Sequence, residues 1–302
     1  MKNQLVRFDW ALKKLLRNKA NFEILEGFLS ELLKQDVRIE KILESESNKE
    51  CCDDKQNRVD LLTEINSHEL VLIELQVEGQ FDYFHRMLYG SSKLITDYMT
   101  AGSDYHLVQK VISVNIVYFD LGQGEDYIYH GITEFKGLHK NDLLQLSAFQ
   151  KKNLPELQHV AAIFPEYYIL KVNEFNDFAK DTLDEWVYFL KNSEIKDEFK
   201  AKGIHKASEE LDILKLSKEE RREYERYIDD KRVGESSIKT SWLEGHDKGI
   251  EKGIEKGIEK GIEKGKIRVG LRLIDKGMAV EEAAEIAEVS VEVLRSNIRE
   301  KR

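Results

Sequence analysis

The sequence predicts an α/β fold: a mixed sheet flanked by helices over roughly the first 140 residues, followed by a helical C-terminal region. Three observations lead there. Apolar residues recur at helical spacing over residues 9–34 and 80–101. Between and after those stretches lie short runs rich in Val, Ile, Leu and Tyr, bounded by polar turn residues. From about residue 141 the chain becomes more charged and takes on helical spacing, and helix, three strands, helix, strands is an alternation typical of α/β domains.

The elements follow in order. Leu12, Leu15, Leu16, Phe22, Leu25, Phe28, Leu29 and Leu32 keep the 3.6-residue period, with Asp9 expected as N-cap and Asn18–Asn21 as a break between two helices. Residues 37–45 alternate apolar and polar and are expected to form a strand. A polar loop then leads to RVDLLTEI and ELVLIELQV, two β-rich runs separated by Asn66, Ser67 and His68, which is a hairpin signal. Phe84, Met87, Leu88, Ser91, Leu94, Ile95 and Tyr98 mark the next helix. VISVNIVYF (111–119) is a continuous apolar run, expected to be a strand buried on both faces. Tyr127–Phe135 is a weaker strand candidate.

Composition narrows the function classes. The 41% hydrophobic residues suffice for a core, and two prolines in 302 residues favour helix. A net charge of −10 argues against a protein that coats nucleic acid through phosphate neutralisation, yet leaves room for a metal-bearing site, where a bound cation supplies positive charge locally. Cys51 and Cys52 are adjacent, unsuited to a disulfide with each other or to a zinc site, and are read as reduced thiols. The charged, amphipathic N-terminus does not read as a secretory signal and no apolar run approaches a membrane span, so the expectation is a soluble cytoplasmic protein.

Beyond the core the expected segments are a helical region (141–240), a repeat (241–266) and a small helical tail (267–302). KLSKEERREYERYIDDKR (215–232) reads as a solvated helix. The repeat is Gly-Ile-Glu-Lys, with glycines at 249, 253, 257, 261 and 265. Four residues overshoot a helical turn by about 40°, so the glycine stripe winds around the helix. Each glycine costs about 1 kcal/mol relative to alanine. The segment is therefore either a linker or frayed helix, or a helix held by self-association through its small residues. In the tail, Gly277 is a stop signal and Ser290 a start signal. The outline is that of a helix-turn-helix with Val291–Arg302 in the recognition position, where Arg295, Arg299, Lys301 and Arg302 can meet phosphates. Glu281, Glu282, Glu285, Glu288 and Glu292 oppose this and favour a plain helical hairpin.

The chemistry concentrates in the hairpin. Strand alternation puts Glu74 and Gln76 on one face and Ile73, Leu75 and Val77 on the other. A carboxylate inside an apolar strand needs a partner, because burial of an unpaired charge is costly. Asp60 poses the same problem beside Val59, Leu61 and Leu62, and pairing of the two runs would bring Asp60 and Glu74 side by side. Two adjacent carboxylates call for a proton or a cation; Mg²⁺, with one or two carboxylates and several waters, is a natural solution and can acidify a water for phosphodiester attack. The alternative is purely structural pairing with Arg58, Lys93 or Arg86.

An Asp, then a hairpin, then Glu-x-Gln, then an amphipathic helix resembles the PD-(D/E)XK nuclease superfamily, and more narrowly its recombination-promoting nuclease / putative transposase family. FDWALKKLL (8–16), RVDLL (58–62), VLIELQ (71–76), Phe84-His85-Arg86 with Tyr89, and VISVNIVYF carry the likeness. The resemblance implies a restriction-endonuclease-like fold and a metal-dependent DNA endonuclease acting in recombination or transposition. Asp60, Glu74 and Gln76 would form its catalytic cluster, and Asp60, Glu74 and the Leu75 carbonyl would hold Mg²⁺ or another divalent cation. Gln76 replaces the wider superfamily's lysine, a substitution similar to that of the narrower family. Glu23, Glu26 or Asp9 would complete the site, and His85 and Arg86 are candidate DNA contacts. The remaining histidines lack ligand spacing. The expected partners are DNA and further copies of the chain, with no membrane. Two rival readings are a catalytically inactive DNA- or protein-binding descendant that self-associates through its C-terminal helices, and a pure oligomerisation module.

Overall fold

The structure, a computed structural model, describes residues 5–14, 18–43, 61–66, 69–99, 104–155 and 157–300. It comprises two compact units, 1–225 and 226–302. No helix among the described residues is long and apolar enough to cross a membrane.

The first unit is built on a six-stranded mixed sheet. Its strands are β1 (Ile39–Leu43), β2 (Leu61–Ile65), β3 (Glu69–Gln76), β4 (Val111–Val117), β5 (Ile128–Gly131) and β6 (Glu166–Lys171), in spatial order β1-β2-β3-β4-β6-β5. β1, β2 and β3 form an antiparallel meander, β3–β4 and β4–β6 are parallel, and β5 closes the far edge antiparallel to β6. Every residue of β4 is buried, as its unbroken apolar run requires of a central parallel strand. The sheet is thus the mixed, helix-flanked, restriction-endonuclease-like arrangement expected from the sequence.

One reading is corrected. The chain beyond residue 141 was expected to be helical, yet it contributes β6, which inserts between β4 and β5. Its Tyr-Tyr-Ile-Leu sequence has strand propensity, and pairing along β4 overrides the charged surroundings.

Helices cover both faces. The sequence break at Asn18–Asn21 separates α1 (Phe8–Lys14) from α2 (Phe22–Leu33). α3 (Tyr83–Asp97) lies on the sheet face carrying Leu70 and Leu72: Leu94 packs with Leu62, Leu70, Leu72 and Val111, while Tyr83 and Met87 pack with Val117 and Leu121. The short α4 (Ala148–Asn153) has a Ser147/Gln150 capping box. α5 (Thr182–Asn192) covers the opposite face, since Tyr118, which alternates with Val117, donates its hydroxyl to the Leu190 carbonyl at 2.7 Å. Here Phe8, Phe28, Trp186 and Phe189 form an edge-to-face aromatic cluster with centroids 5.7–6.4 Å apart.

α2 crosses α6 (Ile204–Glu210) at two glycines. A Cβ at Gly27 would stand 2.2 Å from the Lys202 carbonyl oxygen, and one at Gly203 (φ 75°) 2.7 Å from that of Glu23. Backbone meets backbone there, so no rotamer change can make room.

In the second unit the Gly-Ile-Glu-Lys repeat is helical, part of α7 (Lys218–Asp275). α8 (Val280–Ala287) and α9 (Val291–Glu300) close a small apolar core of Ala283, Ala284 and Leu294 against Ile267, Leu271 and Ile274. Gly277 (φ 96°) ends α7, and Ser290 Oγ accepts from the Val293 N–H at 3.3 Å, so both boundary signals act as read. Arg295 binds Glu281 at 2.7 Å, an intra-hairpin ion pair.

Across the far edge of the sheet, Lys110 Nζ lies 2.7 Å from Glu166, and Glu166 meets His130 at 3.3 Å. The His130 ring stacks on Tyr168, whose hydroxyl burial pushes up to about 12. Burial alone would raise the Glu166 carboxyl, but hydrogen bonding to Lys110 and the nearby His130 outweigh it and hold it below its ordinary 4.5. A depressed carboxylate stabilises the fold above its unfolded value and loses that contribution as acid protonates it.

Two outcomes follow for stability. Gly27→Ala lowers the urea midpoint by the equivalent of about 3 kcal/mol with little change in slope, whereas a surface Gly234→Ala does not. Stability measured by urea unfolding below pH 4.5 falls as the pH falls, and Glu166→Gln flattens that dependence; an unchanged acid limb would show that this carboxylate adds nothing.

Candidate active site

Glu74 stands at the junction of sheet and helix. It is 3% exposed, on the α3 face of β3, between the Leu70/Leu72 cluster and the Tyr83/Met87 cluster that seat the helix. Such burial of a carboxylate demands positive charge nearby. Arg86, one turn into α3, brings its Nε to 3.7 Å from Glu74 Oε2. Its Nη1 donates to Gln80 Oε1 at 3.2 Å, so the guanidinium is held between the β3–α3 loop and the buried acid. Of the structural partners considered from the sequence, Arg86 is observed at Glu74; Lys93 reaches Asp97 at 3.4 Å, and Arg58 lies outside the described residues.

The position of α3 depends on a second buried polar group. Parallel pairing sets Asn115 of β4 beside Glu74. Asn115 is fully buried, and its amide donates to Ser113 Oγ at 3.0 Å and to the Tyr168 carbonyl at 3.3 Å, while its oxygen accepts from the Tyr83 hydroxyl at 3.2 Å. Tyr83 and Arg86 are three residues apart on one helix, so the Tyr83–Asn115 bond sets the helical phase that aims Arg86 at Glu74. Sequence reasoning missed Tyr83 and Asn115. The available signal was the one amide interrupting the apolar run VISVNIVYF.

Gln76 is two residues beyond Glu74 on the same face, partly exposed, with Nε2 donating to the Glu78 carbonyl at 3.3 Å. Leu75 lies between them, 7% exposed, its side chain on the opposite face. Asp60 lies outside the described residues, as do Cys51, Cys52 and His68. β2 begins at the next residue, Leu61, which pairs with Ile73.

The accessory acids occupy different places. Glu23 is exposed on α2, and Glu26 accepts from the Ile39 N–H at 2.8 Å, tying α2 to β1. Asp9 is 4% exposed and lies inside the first turn of α1, not at its N-cap as expected: the helix begins one residue earlier, and Asp9 Oδ1 accepts from the Trp10 N–H at 2.9 Å. Arg7 contacts Asp9 at 3.3 Å and lies over the Tyr118 ring at 5.7 Å. The Tyr118 N–H donates to the Gln76 carbonyl at 3.0 Å, so this acid–base pair approaches the end of β3 from the far side of the sheet. His85 is exposed on the solvent side of α3.

Among the described residues no three His, Cys, Asp or Glu side chains cluster as a metal site. Glu74 and the adjacent backbone carbonyls are nevertheless hard oxygen donors of the kind a divalent cation takes, in a setting that already holds a cationic group against the carboxylate.

The family profile described as PD-(D/E)XK nuclease family transposase matches residues 6–240. No curated protein and no solved structure matches the chain. The matched span takes in the sheet, the buried acid of β3 and the helix that faces it, and by this match the chain belongs to the PD-(D/E)XK nuclease family transposases.

Proposed function

We propose that the chain is a divalent-cation-dependent DNA endonuclease, acting in recombination or transposition, with Glu74 and Asp60 at its centre. The observation that carries this reading is Glu74 itself: a carboxylate 3% exposed beyond the apolar run Leu70–Ile73 of β3, faced by a guanidinium at 3.7 Å. Such an acid is an expensive way to fold a strand and a sensible way to hold a hard cation. Family membership supports the nuclease class.

Asp60 enters through chain connectivity. It is one peptide bond, about 3.8 Å between Cα atoms, before Leu61, and Leu61 pairs with Ile73, the neighbour of Glu74. Asp60, Glu74 and the Leu75 carbonyl would hold Mg²⁺ or a similar ion, which when bound acidifies a water and neutralises charge at the scissile phosphate. The protein's own groups do the rest. The Gln76 amide orients the water or a phosphate oxygen but adds no positive charge, which points to slow or conditional cleavage. Arg86 balances Glu74 and, with exposed His85, would meet a phosphate of the substrate backbone. Of the accessory acids, Asp9 approaches the end of β3 from the face opposite Glu74, the Glu26 carboxylate is engaged with β1 and Glu23 is exposed, so none of the three is singled out as the completing acid.

The neutral Gln76 also favours a second reading, a catalytically silent descendant that retains the fold and binds DNA or protein. Self-association through α7 fits both readings. In the repeat, Glu251, Glu255, Glu259 and Glu263 stand at i,i+4, as do Lys252, Lys256, Lys260 and Lys264, while Lys252–Glu255, Lys256–Glu259 and Lys260–Glu263 at i,i+3 offset those like-charge neighbours in part. Ile250, Ile254, Ile258 and Ile262 are 49–58% exposed. A second copy supplies a lysine row for the glutamate row and covers the isoleucines.

Plasmid nicking at varied Mg²⁺ tests the enzyme reading. Wild type nicks; Asp60→Asn and Glu74→Gln fall by about 10²-fold or more, and calorimetric titration with Mn²⁺ shows weakened binding in both. Equal nicking by all three proteins sinks the assignment. For assembly, replacing the four isoleucines by glutamine lowers the mass measured by light scattering to that of a single chain; an unaltered mass removes α7 as the contact.

A further inference from the structure

The four residues of each repeat unit divide the circumference of α7 between them. At about 100° per residue, Gly, Ile, Glu and Lys follow one another around the helix. The Gly–Ile face is therefore bordered by a lysine row beside the glycines and by a glutamate row beside the isoleucines. The drift of about 40° per unit turns all four rows together and preserves that order. The face itself is uncovered. Ile250, Ile254, Ile258 and Ile262 are 49–58% exposed, and a Cβ built at Gly249, Gly253, Gly257 or Gly261 meets nothing within 4 Å.

The charged borders decide what covers this face. A matching surface carries acid opposite the lysines and base opposite the glutamates, repeating every four residues beside an apolar strip. The repeat has both rows at that spacing, so a second copy of α7 is the matching surface. Two directions of pairing are open to it, and they differ in charge. Two helices running the same way turn opposite flanks to each other. The lysine row of each then faces the glutamate row of its partner on both sides of the contact. Reversing one helix reverses its order around the axis. Lysines then face lysines on one side and glutamates face glutamates on the other. Opposite charges in flanking rows set orientation, and facing like charges are destabilising.

We propose that two copies pair along α7 in parallel. The inference rests on self-association through α7 and adds its direction. A repeat longer than 3.6 residues winds its contact strip right-handed, so the pair crosses right-handed, a geometry that a small residue at every fourth position permits. α7 starts at Lys218, within the first unit (1–225), so a parallel pair attaches both first units at the same end by chain connectivity. Two copies of the candidate active site would thus be available to one DNA.

The test measures distances between spin labels on two full-length copies, together with mass by light scattering. Labels are carried singly by Lys248→Cys, Lys256→Cys or Lys264→Cys, in a background of Cys51→Ser and Cys52→Ser. The three sites lie on the lysine row, eight residues or about 12 Å apart along the axis. A parallel pair gives three distances that agree to within about 10 Å, and this is the expected result. An antiparallel pair gives distances that change by about 24 Å for every eight residues from the crossing point. A paired mass with that pattern overturns the direction and leaves self-association standing. A wild type with the mass of a single chain overturns the pairing and the direction with it. Where a label on the lysine row costs the paired mass, Asp247→Cys, Glu255→Cys and Glu263→Cys give the same reading at the same spacing.

Discussion

The charge of Glu74 inside the sheet–helix junction constrains everything around it. A carboxylate at 3% exposure survives only where cationic and polar groups are fixed beside it, and the arrangement of α3 answers that need. The helix is seated by apolar clusters at either end of the contact, which set its distance from the sheet. The Tyr83–Asn115 hydrogen bond fixes its rotation. Distance and rotation together bring Arg86 to the acid. Moving any of the three would leave a buried charge poorly matched, at a cost comparable to much of a domain's net stability.

The other face of the sheet is organised differently. Edge-to-face aromatic rings and the close glycine crossing of α2 and α6 make a closely packed apolar layer, with the Arg7–Asp9 pair beside it. Rigid packing behind the sheet and polar fixation in front of it divide the labour. The back supplies stability, and the front can then carry a group whose burial is unfavourable, a division expected where a fold supports a reactive site.

Much of this was legible locally. The alternation of ELVLIELQ marked β3 and the odd polar residues within it, and Asn66 marked the turn before it. Arg86 was among the three cations named as structural partners for the two acids. What was not legible depends on pairing between distant segments. β6 is short and lies in charged surroundings, and only its alignment along β4, about 50 residues earlier, makes it a strand. Asn115 reads as an incidental amide until parallel register sets it beside Glu74 and under Tyr83. The start of α1 was misplaced by one residue because Asp9 has the chemistry of a cap but uses it from within the first turn. The repeat was ambiguous for an energetic reason: its glycines and like-charge rows oppose a helix that its unbroken periodicity permits, and the chain is helical there.

The uniformity of that repeat has a consequence for how two copies would align. Its four units are identical, so sliding one helix past another by a single unit, about 6 Å, restores nearly every cross-chain contact and forfeits only those at the ends. The repeat alone thus permits a ladder of near-degenerate staggers. Selection among them falls to side chains that break the pattern, of which Trp242, 63% exposed and stacked on His246, is the most conspicuous at the N-terminal end of the repeat.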